Sequence, residues 1–159
     1  MRRRDEIDSA DARAARVAAL GLLARRDRAS GQILEKLTDK GFSADTAAGV
    51  VAALVRENLI NDRRYVEQFI DYHANRGNGP IKVRAELRQL GIDGALVDEF
   101  IAAYPEWIAR AREVRQKKFG GTEPVDYAGK ERQSRFLAHR GFTGSQIRTI
   151  LGFDADYET

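Results

Sequence analysis

The residues of this chain best suited to chemistry are arginines and lysines set in rows at helical spacing, and that chemistry is the holding of anions. Arg84 and Arg88 lie four apart and share one helix face. Arg112 and Arg115 are neighbours at i,i+3, Lys118 extends their ridge, and Lys117 sits beside it. Arg132, Arg135 and Arg140 follow on the next helix. Guanidinium forks and ammonium groups grip phosphates or carboxylates through charge-assisted hydrogen bonds. The net charge of the whole chain is only +3, but from Arg110 to Arg148 ten basic residues face four acidic ones. That local net of +6 leaves −3 for the remainder. Such asymmetry turns the C-terminal third toward an acidic partner. A well-solvated helical surface would show the same cluster.

Catalytic arrangements are poorly supported. Cysteine is absent, which excludes disulfides, thiolate metal sites and cysteine nucleophiles and suits a reducing compartment. His73 and His139 each stand alone at the polar end of a helix, without a second ligand at coordinating spacing. The serines fall in caps or on polar faces, not in a Gly-x-Ser-x-Gly elbow. Gly77-Asn78-Gly79-Pro80 could place a phosphate at a helix start. It lacks the Lys-Ser/Thr of a P-loop and follows no strand, so a tight turn with Pro80 at the first helical position is expected. Asp98 and Glu99 are sequence neighbours that diverge on a helix and make no acid–base pair. No enzyme, no cofactor and no metal are expected. Tyr65, Phe69, Phe100 and Trp107 fall on apolar stripes and read as core, while Tyr72 and Tyr127 are weaker candidates for stacking on a base.

The elements that must carry the basic rows repeat at a spacing of fifty residues. Leu37, Leu87 and Leu137 are followed four positions later by Gly41, Gly91 and Gly141. Phe42, Ile92 and Phe142 come next, then Ser43, Asp93 and Thr143. Each copy reads as a helix end, a glycine stop, a buried apolar residue and a new cap. The chain therefore divides into a flexible segment 1–12, repeats 13–60, 61–104 and 105–153, and an acidic tail 154–159. Val17, Leu20, Leu23 and Ala24 form the apolar face of the first helix, Ser30 caps the second and Ser43 the third. Asn61 or Asp62 opens the second repeat and Pro105 the third. No alternating run is long enough for a strand. The fold class is all-α, with three tandem three-helix repeats in an elongated, curved array. A unit of this size is marginal alone, so neighbours must share apolar surface and present extended binding faces.

No apolar run approaches membrane-spanning length, the strongest being Ala47 to Val55. Arg2-Arg3-Arg4 followed by Val17 to Ala24 imitates a signal peptide, but Asp5, Glu6, Asp8 and Asp11 interrupt it, and Arg25-Arg26 stand where a cleavage site belongs. A cytoplasmic protein is expected. Without a long heptad seam, it is expected to be a monomer.

The run Leu59-Ile60-Asn61-Asp62-Arg63-Arg64-Tyr65, then Gly77-Asn78-Gly79-Pro80, then Glu86-Leu87 through Gly91-Ile92, resembles the central repeat of the RecX family. Arg135-Phe136-Leu137-Ala138-His139-Arg140-Gly141-Phe142-Thr143 resembles its last repeat, and Leu34-Glu35-Lys36-Leu37 to Gly41-Phe42 its first. The likeness covers about Ala14 to Gly152, and its specificity lies in the order and spacing of these pieces. RecX proteins are bacterial regulators of the RecA recombinase. The resemblance implies three three-helix repeats that bind in the groove of the RecA filament on single-stranded DNA. There they inhibit its ATPase, strand exchange and coprotease activities. It also implies architectural roles for Asp62 as a cap, Pro80 as a helix start and the three glycines as left-handed stops. It carries over no compact functional signature. The candidate contacts to the filament or its DNA remain Arg84, Arg88, Arg112, Arg115, Lys117, Lys118, Arg132, Arg135 and Arg140. Three-helix units with basic rows also suit a module that binds DNA directly, without RecA.

Overall fold

The computed structural model describes residues 2–152, with side chains from Asp11 onward; the tail expected at 154–159 lies outside the described residues. The elements are α1 (Arg2–Arg25), α2 (Ser30–Asp39), α3 (Ala44–Arg56), α4 (Asp62–Asn75), α5 (Pro80–Gln89), α6 (Gly94–Ala103), α7 (Trp107–Phe119), α8 (Tyr127–His139) and α9 (Gly144–Leu151). These are nine helices, with no strand among the described residues, as the all-α reading expects. Helix α1 takes in most of the segment read from sequence as a flexible lead-in. No helix among the described residues is long and apolar enough to cross a membrane.

The fifty-residue period has a backbone cause. Gly41, Gly91 and Gly141 all adopt positive φ, at 99°, 76° and 96°. A side chain there would crowd its own backbone, so glycine ends the helix at little steric cost. After α2 the amide of Gly41 donates to the Thr38 carbonyl and that of Phe42 to the Leu37 carbonyl; Gly141 and Phe142 do the same with Ala138 and Leu137 after α8. These paired bonds satisfy carbonyls the helix end would otherwise orphan. The next helix is then capped. The Ser43 hydroxyl accepts from the Thr46 amide, and Thr143 exchanges bonds with Gln146. Leu37, Leu87 and Leu137, one turn before each stop, are fully buried.

Two compact units form. One is built on residues up to Val66 with Gln89–Asp93, the other on Glu67–Arg88 with the residues from Gly94. The division runs through α4 and α5, so the middle triplet of helices contributes to both.

In the first unit Ala15, Ala19, Ile33, Leu37, Ala47, Val50, Leu54 and Ile60 form the core, with Ala12, Leu22 and Leu23 packed against it. Of the face expected for α1, Leu23 packs on the core but Val17 and Leu20 do not. Val17 is 71% exposed and Leu20 sits at the surface, while the alanines at 15 and 19 carry the contact. Small side chains let a helix approach its neighbour closely, so the buried stripe follows the alanines rather than the largest apolar residues.

The caps also differ from expectation. Ala29, not Ser30, occupies the cap position of α2, and Ser30 is its first helical residue. The Asp62 carboxylate supplies the missing acceptor from 32 residues away, taking the Ser30 amide at 2.7 Å and its hydroxyl at 2.6 Å. Asn61 caps α4 itself by accepting from the Arg64 amide at 3.0 Å. Asp62 thus caps a helix, but not the one it begins.

In the second unit Pro80 opens α5, and the turn before it docks on the α8–α9 corner. The Gly79 amide donates to the Arg140 carbonyl at 2.7 Å and the Ile81 amide to the Gly141 carbonyl at 2.9 Å. A Cβ on Gly79 would lie 2.3 Å from the Gly141 carbonyl carbon, so glycine is required for this approach. Trp107 is buried and its indole N–H donates to the Ile101 carbonyl, which satisfies its one polar atom. His73 packs on Phe69 with ring centroids 4.1 Å apart, and its Nδ1 lies 3.8 Å from the Glu86 carboxylate. Burial lowers its pKa, Glu86 opposes that shift, and Arg76 and Lys82 reinforce it. His139 remains exposed.

Candidate anion-binding surface

Helices α7 and α8 meet through a polar strut and an aromatic pair. Arg115 donates from Nε to Oε1 of Gln133 at 2.8 Å, and Gln133 is buried. A buried amide without a partner costs about 1–3 kcal/mol, so Arg115 first of all satisfies Gln133. Toward the far end of α7, Phe119 meets Phe136 edge to face, centroids 5.2 Å apart and planes at 89°. Cations gather around these rings. Lys118 and Arg140 lie over Phe136 at 5.9 and 5.7 Å, and Arg132 lies over Phe119 at 5.9 Å. Each ring face attracts a cation electrostatically, by about 0.5–1 kcal/mol at exposed sites.

A cleft of about 360 Å³ opens between the end of α4, α7 and α8. Its charged lining is Arg76, Arg110, Glu113, Lys117, Lys118 and Arg140; Ala74, Val114 and Phe136 give it an apolar wall. Arg110 is committed elsewhere. It bonds Glu106 at 2.9 Å and Glu113 at 3.1 Å, and the hydrogen bonds it donates to the Tyr104 hydroxyl and the Glu113 carboxylate raise its pKa above the usual arginine value. The other four cations have no carboxylate partner among the described residues. Arg76 instead donates to the Tyr72 hydroxyl and stacks on that ring at 4.9 Å.

The remaining candidates are dispersed. Arg84 and Arg88 both turn to Asp98 of α6, at 3.2 and 3.5 Å, so one carboxylate offsets part of their charge. Arg112 and Arg135 are exposed, without an ion-pair partner among the described residues, and outside the cleft lining. Arg132 borders a hollow formed with the 122–126 loop and the first turn of α8. The ridge of Arg112, Arg115 and Lys118 is therefore divided: one exposed, one bound to Gln133, one at the cleft. Lys117, Lys118 and Arg140 are brought together. Arg76 and Phe136 were missed from sequence. Arg76 adjoins the Gly77-Asn78 turn, and Phe136 lies four residues before Arg140, spacing that could have signalled a ring beneath a cation.

Models of the three three-helix domains of RecX match this chain: the first at residues 15–54, the second at 61–100 and the third at 105–151. Over 136 residues the chain is 39% identical to "Regulatory protein RecX" of Halorhodospira halophila, covering 85% of this chain and 84% of the relative. It is 37% identical over 139 residues to the protein of that name from Pseudomonas entomophila, covering 87% and 90%. The fold matches a crystal structure of RecX from Lactobacillus salivarius with a TM-score of 0.80 at 20% identity, covering 91% of this chain and 96% of that one.

Proposed function

The chain belongs to the RecX family, and from that premise we propose that it regulates the RecA recombinase by lying in the groove of the RecA filament on single-stranded DNA. In that position it lowers ATPase, strand exchange and coprotease activity by blocking what must enter the groove. It acts as a cytoplasmic monomer and without catalysis. The observation that carries the binding surface is a group of cations along α7, α8 and the residue that follows α8, among them Arg112, Lys117, Lys118, Arg135 and Arg140, with no carboxylate partner among the described residues. Such charges are available to phosphates or acidic side chains, whereas Arg84 and Arg88 must first release Asp98.

The test is the DNA-dependent ATPase of RecA, titrated with this protein after filaments have formed. The wild type should inhibit. The triple reversal Arg112→Glu, Lys117→Glu and Arg135→Glu should need about tenfold more protein, a loss of about 1.4 kcal/mol, with helicity unchanged. Arg115 is left in place because its loss would strand Gln133. Equal inhibition by the variant refutes this surface, and no inhibition by wild-type protein in excess refutes the regulator reading. The cations beside Phe119 and Phe136 also favour a second reading, direct binding of DNA. That reading requires tight binding to naked DNA that weakens steeply with salt and needs no RecA.

A further inference from the structure

The cleft between the end of α4, α7 and α8 has properties that an open basic row lacks. Arg76, Lys117, Lys118 and Arg140 converge on a volume of about 360 Å³, and Glu113, the one carboxylate in the lining, is bound to Arg110. The volume falls within the roughly 300–1,000 Å³ of small-molecule sites. We propose that this cleft is a binding site for a small anion carrying two or three linked phosphates, the class to which nucleoside di- and triphosphates belong.

Charge density is the first argument. A nucleic-acid strand carries one negative charge per phosphate, spaced along its length, so a hollow of this size would admit one or two of them. Four cations exceed that need. Linked phosphates place three or four charges within one small ligand and match it. Preorganisation is the second argument. Lys118 and Arg140 are held over the Phe136 ring, and Arg76 is held by Tyr72. Less side-chain freedom is then lost when the anion arrives. Two carbonyls at the end of α4 are already occupied. The His73 and Ala74 carbonyls accept from the Arg76, Gly77 and Asn78 amides within the turn. Ala74, Val114 and Phe136 leave an apolar wall against which a nucleobase can lie.

Calorimetric titration of the protein alone, at fixed ionic strength, tests this with inorganic triphosphate, ATP, AMP and a short oligothymidylate. Triphosphate and ATP should bind with one site and AMP about tenfold or more weaker. The variant Lys117→Ala/Lys118→Ala/Arg140→Ala should lose that binding by about tenfold, while Arg112→Ala/Arg135→Ala should change it less than about twofold. Circular dichroism checks that both fold. Equal losses in the two variants would reduce the effect to general surface charge and overturn the proposal. So would oligothymidylate binding through the cleft residues with no triphosphate binding, which assigns the cleft to a nucleic-acid backbone. No RecA is present, so a negative result leaves the regulator reading intact.

Discussion

Replacing Gly79 with alanine should open the seam between the α4–α5 turn and the α8–α9 corner. The added methyl would stand 2.3 Å from the Gly141 carbonyl carbon, 2.4 Å from the Phe142 nitrogen and 2.5 Å from the Gly141 oxygen. All three are backbone atoms, so no flexible side chain can yield. Gly79 does not sit at positive φ, so the penalty comes from this contact and not from its own dihedrals. Overpacking of this kind costs about 1–3 kcal/mol. Separating the strands of chain also weakens the Gly79 and Ile81 amide bonds at 2.7 and 2.9 Å, roughly 1 kcal/mol each. A gain of about 0.5 kcal/mol from a stiffer unfolded chain offsets little of this. The net loss of about 2–4 kcal/mol is a large part of an ordinary domain stability of about 5–15 kcal/mol. Urea unfolding followed by circular dichroism measures it. Gly49→Ala is the control: Gly49 lies within α3, and an added Cβ meets nothing within 4 Å. It should stabilise by about 0.5–1 kcal/mol. If Gly79→Ala unfolds within about 0.5 kcal/mol of wild type, the seam does not hold the second unit as argued.

Asp62→Ala should lower stability by about 2–3 kcal/mol, because a carboxylate accepting both the amide and the hydroxyl of Ser30 is lost. Asn61→Ala, which removes an ordinary cap from α4, should cost about 1 kcal/mol; equal losses in thermal or urea melts would deny Asp62 its long-range role. Stability should also fall with pH through His73. Its folded pKa lies below the usual 6.5, so the unfolded chain takes the proton first. That contribution is present above about pH 6.5 and is lost as pH falls through the lower folded value. His73→Gln should therefore flatten the melting temperature between about pH 7.5 and 5.5, and an unchanged slope would show that His73 does not govern it.

The helix stops illustrate what the sequence alone determined. Gly41, Gly91 and Gly141, each followed by an apolar residue and then a polar one, specify a local backbone event, because positive φ and capping bonds involve residues within a few positions. The same locality made Pro80 as a helix start, the caps at Ser43 and Thr143, the all-α class and the family likeness legible. The basic character of α7 and α8 was also legible, since composition requires no partner geometry.

The tertiary structure decided which groups meet across distance. From the chain alone either Asn61 or Asp62 can cap α4, and only packing brings Ser30 to Asp62 and leaves Asn61 as the cap. Val17 outranks Ala15 in hydrophobicity, yet close helix approach selects the alanine. Arg112, Arg115 and Lys118 share spacing, but Gln133, open solvent and Phe136 assign them three different roles. Arg76 joins the cleft from another helix end, at a separation no periodicity encodes. Local geometry depends on neighbours in the chain. The partner of a charged side chain depends on which surface the folded chain places opposite it.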